Sequence, residues 1–256
     1  MRLTLVAALA FLAVSPAVHA QTAGEGWRLS KVTLYGWLPG ITGAKEFPEG
    51  GLSIDLDRRD VLDALQLAFF GAAEIRKGRV GLVMDLAYAD LGRDGGARGA
   101  LIPGGNPASA SVDTKLLMAT AIAAYRFAET PGGWADVYGG LRFTDLSADV
   151  SVRIPAIGFG ASRSASVDWV DAVVGLRGHR ALDHRWSVTG LVDVGGFGIG
   201  SGSHLTWQVQ GTVDYAFSER VIGRFGYRYM NIDYRGSRLG IDAEIHGPVI
   251  GVTWTF

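Results

Sequence analysis

The stretch LTWQVQGTVDYAF, residues 205–217, decides the fold. Leu205, Trp207, Val209, Gly211, Val213, Tyr215 and Phe217 fall on one face of an extended chain. Thr206, Gln208, Gln210, Thr212, Asp214 and Ala216 fall on the other. A strict period of two is the signature of a β-strand, because successive side chains point to opposite sides. Soluble strands average about 5–6 residues. A strand twice that long suits the tilted crossing of an outer-membrane barrel, about 9–11 residues.

The same alternation recurs along the chain. It marks strands near 28–38, 64–76, 79–91, 112–127, 134–147, 166–181, 184–195, 203–217, 220–234 and 241–256. Tight turns (Lys77-Gly78, Thr130 to Gly133, Leu182-Asp183, Ser218-Glu219) alternate with longer connections near 39–63, 92–111, 148–165, 196–202 and 235–240. Short turns at one end and longer loops at the other define a closed, up-and-down antiparallel transmembrane β-barrel. About ten strands are expected, with eight or twelve as alternatives; residues 39–57 are long enough to hide a further hairpin. An even number puts both termini at the short-turn, periplasmic end. A soluble β-sandwich would need polar outer faces. Here the apolar face carries aromatic residues near strand ends: Tyr125, Phe127, Trp186, Tyr215, Phe217, Trp254 and Phe256. Such rings favour a membrane–water interface.

The first twenty residues read as an address. Arg2 supplies positive charge, Leu3 to Val14 is nearly all apolar, and Val18-His19-Ala20 places small residues where a signal peptidase cuts. Residues 1–20 are therefore expected to be a secretory signal peptide and 21–256 the barrel, in the cell outer membrane. The longest later apolar run, Leu116 to Tyr125, is too short for a membrane helix. The chain ends on Ile250, Val252, Trp254 and Phe256, an alternating aromatic end of the kind that hands barrels to their insertion machinery.

Composition excludes several functions. There are 24 basic and 25 acidic residues, which leaves no electrostatic footprint for nucleic acid. There is no cysteine, so thiol catalysis, disulfides and thiolate metal sites are ruled out. Glycine, at 37 of 256 residues, is about twice as common as the ~7% average.

If the apolar face meets lipid, the other lines the lumen. That face carries the acids Glu74, Asp85, Asp136, Asp171, Asp193 and Asp214. It also carries the bases Lys31, Arg142, Arg177, Arg224 and Arg228, together with His179. Isolated charges in a low-dielectric interior cost several kcal/mol, so they are expected to pair. The near-balance of signs favours a salt-bridged plug over a selective pore, with Asp214–Arg224 at its centre. Two places break the alternation. Gly247-Pro248 and Met230-Asn231 are expected to be bulges, the first turning Asp242, Glu244 and His246 inward.

Chemistry-bearing residues are sparse. His204 and His246, with Ser201, Ser203, Asp242 and Glu244 nearby in sequence, could form a hydrolytic set at the outer rim. However, Ser203 and His204 are adjacent and would alternate to opposite faces. Gly195 to Gly202 mimics a phosphate loop without the helix that one requires. Asp55, Asp57 and Asp60 could attract a hard cation, but their spacing is not a calcium loop and a solvated charge run accounts for them. Asp60 is expected to cap a short helix beginning at Val61. No catalytic, cofactor or metal site is expected, and the chain is read as no enzyme. The expected role is a structural element or passive narrow channel with a salt-bridged lumen. The alternative is a hydrolase acting on lipid or peptide at the extracellular rim. Expected partners are outer-membrane lipid, lipopolysaccharide and, through Phe256, the insertion machinery.

Several stretches resemble a family of bacterial outer-membrane β-barrel proteins with no assigned activity. They are Leu34 to Gly43, Glu74 to Arg79, Asp168 to Asp171, Asp193 to Gly198, Leu205 to Gln208 and Gly226 to Tyr229. More distantly the chain is similar to OmpA- and OmpW-like small barrels. The resemblance implies fold and compartment and brings no catalytic residues.

Overall fold

The computed structural model describes residues 26–47, 50–97, 108–154, 159–236 and 240–256. The expected signal peptide lies outside the described residues. Twelve strands and one helix follow in order: β1 Arg28–Trp37, β2 Gly40–Phe47, β3 Gly50–Leu56, α1 Arg58–Ala64, β4 Leu65–Lys77, β5 Val80–Ala97 and β6 Ala108–Thr130. Then come β7 Gly133–Ile154, β8 Phe159–Ala181, β9 Trp186–Gly196, β10 Leu205–Ala216, β11 Val221–Arg235 and β12 Gly240–Thr255. β1 pairs with β4 on one side and with β12 on the other, and β4 to β12 pair in sequence order. Ten strands thus close an antiparallel barrel, and closure leaves no free edge at its base.

The hairpin expected within 39–57 exists as β2–β3, but it adds to the rim and not to the closure. β2 continues β1 alongside β12, and β3 pairs with β2 alone. The seam between β3 and β4 is bridged by α1, which lies against β2, β3 and β5. Asp57, not Asp60, caps this helix. Its side chain accepts from the Arg59 and Asp60 amides (2.8 and 2.9 Å), while the Asp60 side chain accepts from the Asp57 amide, completing a capping box.

No bulge interrupts β11 or β12. Trp37 faces Val249 and Gly40 faces His246, so the ladder steps across Leu38-Pro39 and Gly247-Pro248 without gaining a residue. The Leu38 amide donates to the Pro248 carbonyl (3.1 Å). Pro248 returns no bond because proline has no N–H. Gly247 is what permits the approach: a Cβ there would lie 2.1 Å from the Leu38 carbonyl oxygen. With register intact, Asp242, Glu244 and His246 point outward, against expectation. Met230 and Asn231 likewise keep strict alternation, Met230 inward and buried.

The reason lies in a change of surroundings, not of register. Above the short-turn end, outward residues are apolar: Leu82, Met84 and Leu86 on β5; Val137, Leu141 and Phe143 on β7; Val170, Val174 and Leu176 on β8; Phe225 on β11; Ile250 and Val252 on β12. All at about one level they become polar: Asp90, Lys115, Asp145, Asp168, Asn231 and Glu244. The inward face changes in the opposite sense. Charged below, it becomes apolar above, where Met118, Trp169, Met230, Ile232, Tyr234 and Ile245 form a buried cluster with Leu116, Val167 and Ile241. A wall bathed in lipid needs apolar residues outside. A wall bathed in water needs them inside.

Strands β6, β7 and β8 run 23, 22 and 23 residues, about twice a membrane crossing, so strand extends into the connections expected at 92–111 and 148–165, over 92–97, 108–111, 148–154 and 159–165. Their upper outward positions carry Ser and Asp, such as Asp113, Ser147, Asp149, Ser164 and Ser166, and small residues such as Ala148 and Ala165 share the inward parity, so the apolar contrast between faces is faint. Above the belt the wall divides into two sheets, β5–β8 and β11–β12–β2–β3, packed through the apolar cluster. β8 pairs with β9 only up to Val173–Gly195, so the β9–β10 hairpin is lower.

Candidate functional site

The barrel interior holds the chemistry. Strand alternation turns every expected lumenal charge inward, and geometry then sorts them into layers. Nearest the short-turn end, Asp136 is fully buried and meets three guanidinium groups: Arg76 Nη2 at 2.8 Å, Arg126 Nε at 2.9 Å and Arg177 Nη2 at 3.0 Å. Arg177 also donates both terminal nitrogens to Glu74 (3.0 and 3.1 Å), and Arg76 reaches the same carboxylate at 3.0 Å. Trp134 underlies this layer, with Lys31, Arg126 and Arg177 at 4.9, 4.7 and 5.4 Å from its ring centroid. Cations over an indole face gain from the ring's quadrupole. Sequence reasoning missed Arg76 and Arg126. Both stand near tight turns, and a register shift between Arg126 and Ala128 blurs the parity there.

In the middle layer, Arg142 Nη2 bridges both Asp193 oxygens (2.9 and 3.0 Å), and both side chains are about 1% exposed. Asp193 also accepts from the Tyr138 hydroxyl (2.9 Å) and the Gln208 amide. A buried pair compensates its desolvation only when further hydrogen bonds fill the remaining lone pairs, as here. Tyr35 donates to both Asp85 oxygens (3.0 and 3.1 Å).

Asp214 and Arg224 stand opposite in register but approach only to 3.7 Å. Asp214 is held mainly by the Thr189 and Thr212 hydroxyls. The centre of the network is therefore Asp136, and the expected Asp214–Arg224 core is corrected to a weak contact. Asp171 has no ion-pair partner among the described residues either. It accepts from Trp169 Nε1 (3.0 Å) and from the Ser203 amide and hydroxyl (2.7 and 2.8 Å), pinning the β9–β10 loop into the mouth. That loop turns through positive φ at Gly196, Phe197, Gly198 and Gly200. Arg228 stacks on Trp37 (4.6 Å) directly under the apolar cluster.

The outer-rim candidates are scattered. His204 Nδ1 lies 3.3 Å from Asp233 Oδ2, which also takes Arg235. His246 Nδ1 shares a 2.6 Å hydrogen bond with the Tyr227 hydroxyl on the outer surface. Ser203 faces inward on Asp171, and Asp242 and Glu244 face outward on β12. Among the described residues no serine hydroxyl is paired with a histidine ring. Asp57 and Asp60 are engaged in the helix cap, and no group of three or more potential ligands occurs among the described residues.

A lumenal cavity of about 190 Å³ lies between the Asp136 layer and the Trp37–Arg228 stack. Lys31, Asp85, Gln208, Arg224 and Arg228 are among the residues that line it.

No family model and no curated protein matches the chain. Among solved structures it is similar to the outer-membrane protease OmpT of Escherichia coli, at 10% identity and TM-score 0.53, covering 89% of this chain and 96% of that one. It is also similar to the translocator domain of the autotransporter NalP of Neisseria meningitidis, at 15% identity and TM-score 0.45, covering 91% and 89%. At such identities the likeness is one of fold. Joined to the closed ten-stranded wall and its apolar belt, it identifies the chain as a β-barrel of the bacterial outer membrane.

Proposed function

We propose that the protein is a non-enzymatic barrel with a blocked lumen, a rigid membrane base for the two-sheet structure that stands beyond the belt. One observation carries this reading: side chains cross the lumen at successive levels. The three-arginine cluster on Asp136 lies below, the Arg142–Asp193 pair in the middle and the Trp169–Tyr234 cluster above. An interior of ten strands is small enough for side chains to fill it. The partners of such a base are the lipids of its membrane, lipopolysaccharide on the outer side, and the insertion machinery reading Phe256.

The test is planar-bilayer recording of the refolded protein. Silence across the voltage range is expected. Steady unitary steps from the wild-type chain would instead support the narrow-channel reading. Hydrolysis at the rim would draw on His204 and Asp233, and loss of a measured esterase or peptidase activity in His204→Ala would favour that alternative.

A further inference from the structure

The cavity in the lumen has an unbalanced lining. Four cations border it, Lys31, Arg177, Arg224 and Arg228, against three carboxylates, Glu74, Asp85 and Asp193. Glu74 is occupied by Arg177 and Arg76, Asp193 by Arg142, and Asp85 by the Tyr35 hydroxyl. Among the described residues Arg224 has one distant carboxylate partner, Asp214 at 3.7 Å. Among the described residues no carboxylate lies within 4.0 Å of Lys31 or Arg228; the ring of Trp134 lies against Lys31, and Arg228 has the ring of Trp37, the Met230 sulfur and the Tyr35 hydroxyl, with the Asp85 carboxylate acting on it from farther off. Arg228 is 5% exposed, yet its Nε has no acceptor, and neither has the Nε of Arg224. Buried guanidinium N–H groups without acceptors carry a desolvation cost that an anion would relieve.

We infer that this cavity is a binding site for one small oxyanion, a carboxylate or phosphate, held by Lys31, Arg224 and Arg228. The free Nε edge of a guanidinium matches two oxygens of such a group side by side. The size agrees. At about 190 Å³ the cavity has room for several waters. It is smaller than the ~300 Å³ at which pockets for drug-sized ligands begin. That suits an anion of four or five heavy atoms with a few waters. The cavity lies nearer the periplasmic end. Lys31 and Arg224 stand three residues above the lower ends of β1 and β11, whereas Arg228 and Trp37 seal the top beneath the apolar cluster. The site does not depend on whether the barrel conducts.

The test is calorimetric titration of the folded protein in zwitterionic micelles with inorganic phosphate and with acetate. Ionic strength is balanced by an organic sulfonate too bulky for the cavity. The expected result is saturable binding of one anion per chain, weakened tenfold or more in Arg228→Gln and in Lys31→Gln. Arg185→Gln, which removes a cation from the outside of the short-turn end, should bind as wild type. Should Arg228→Gln fail to fold, Lys31→Gln, at the partly exposed lower lip, decides. An unsaturable wild-type titration, binding retained in Lys31→Gln, or equal loss in Arg185→Gln would overturn the assignment.

Discussion

The Trp169 indole lies stacked on the Tyr234 ring, centroids 4.5 Å apart and planes 25° from parallel, and joins β8 to β11 across the extracellular mouth. These strands are not neighbours in the barrel; β9 and β10 separate them below. The contact closes the gap left where that hairpin stops short. Removing a large buried aromatic leaves a cavity costing about 3–5 kcal/mol. Trp169→Ala is therefore expected to lower stability by that order in urea unfolding from lipid vesicles. It should also free the Asp171 carboxylate of one donor and expose the β9–β10 loop to protease.

The level at which outward residues turn polar is open to direct test. Val209 is 45% exposed on the lipid side, and Gln208 beside it is 7% exposed on the lumen side. Arginine at Val209 should cost ~2–4 kcal/mol if it lies near the bilayer midplane. Arginine at Asn231, outward but above the belt, should change stability by no more than about 0.5 kcal/mol. Equal penalties at both positions in vesicle folding titrations would contradict the boundary.

Arg142 and Asp193 should behave as a coupled unit. Asp193→Leu alone leaves a buried guanidinium unpaired, a loss of about 3–5 kcal/mol, whereas Asp193→Leu with Arg142→Met should recover much of it. Asp214 and Arg224, at 3.7 Å, should show weak coupling by the same double-mutant cycle.

Acid is expected to loosen α1 before the barrel. The Asp60 and Arg59 amides, donating to the Asp57 side chain, hold its carboxyl below the ordinary carboxylate range. The Arg235 side chain does the same for Asp233 at the rim. A carboxyl depressed in the folded state stabilises above its unfolded pKa of about 3.9, and that help is lost as pH falls through the lower folded value. Amide exchange in α1, corrected for intrinsic rates, should accelerate below about pH 4 in wild type and lose that pH step in Asp57→Ala.

Much of this fold was legible because a period of two is unambiguous where one face meets lipid and the other meets charge. Residues 205–217 show it best, and Val209, Val213, Gln208 and Thr212 take the faces their parity assigns. The upper wall was harder to read. There Met230, Ile232 and Tyr234 look like a lipid face and Asn231 and Asp233 like a lumen face, so a polarity swap reads as a bulge. Nothing local in the sequence announces that the solvent outside has changed from lipid to water. The ion-pair layers were legible as a set of inward charges. Their pairing was not, because Arg76, Arg126 and Arg177 converge on Asp136 from β4, β6 and β8, a meeting that only closure of the barrel creates.

Unbroken parity through Gly247 and Pro248 sets a rule for how this wall can change length. A single residue inserted where the belt ends would carry Asn231, Asp233 and Arg235 into the mouth and turn Met230, Ile232 and Tyr234 out to water. Two inserted residues would leave every face as it was and raise the rim by one pleat. The extracellular part can therefore grow or shrink without disturbing the membrane part, but only in steps of two.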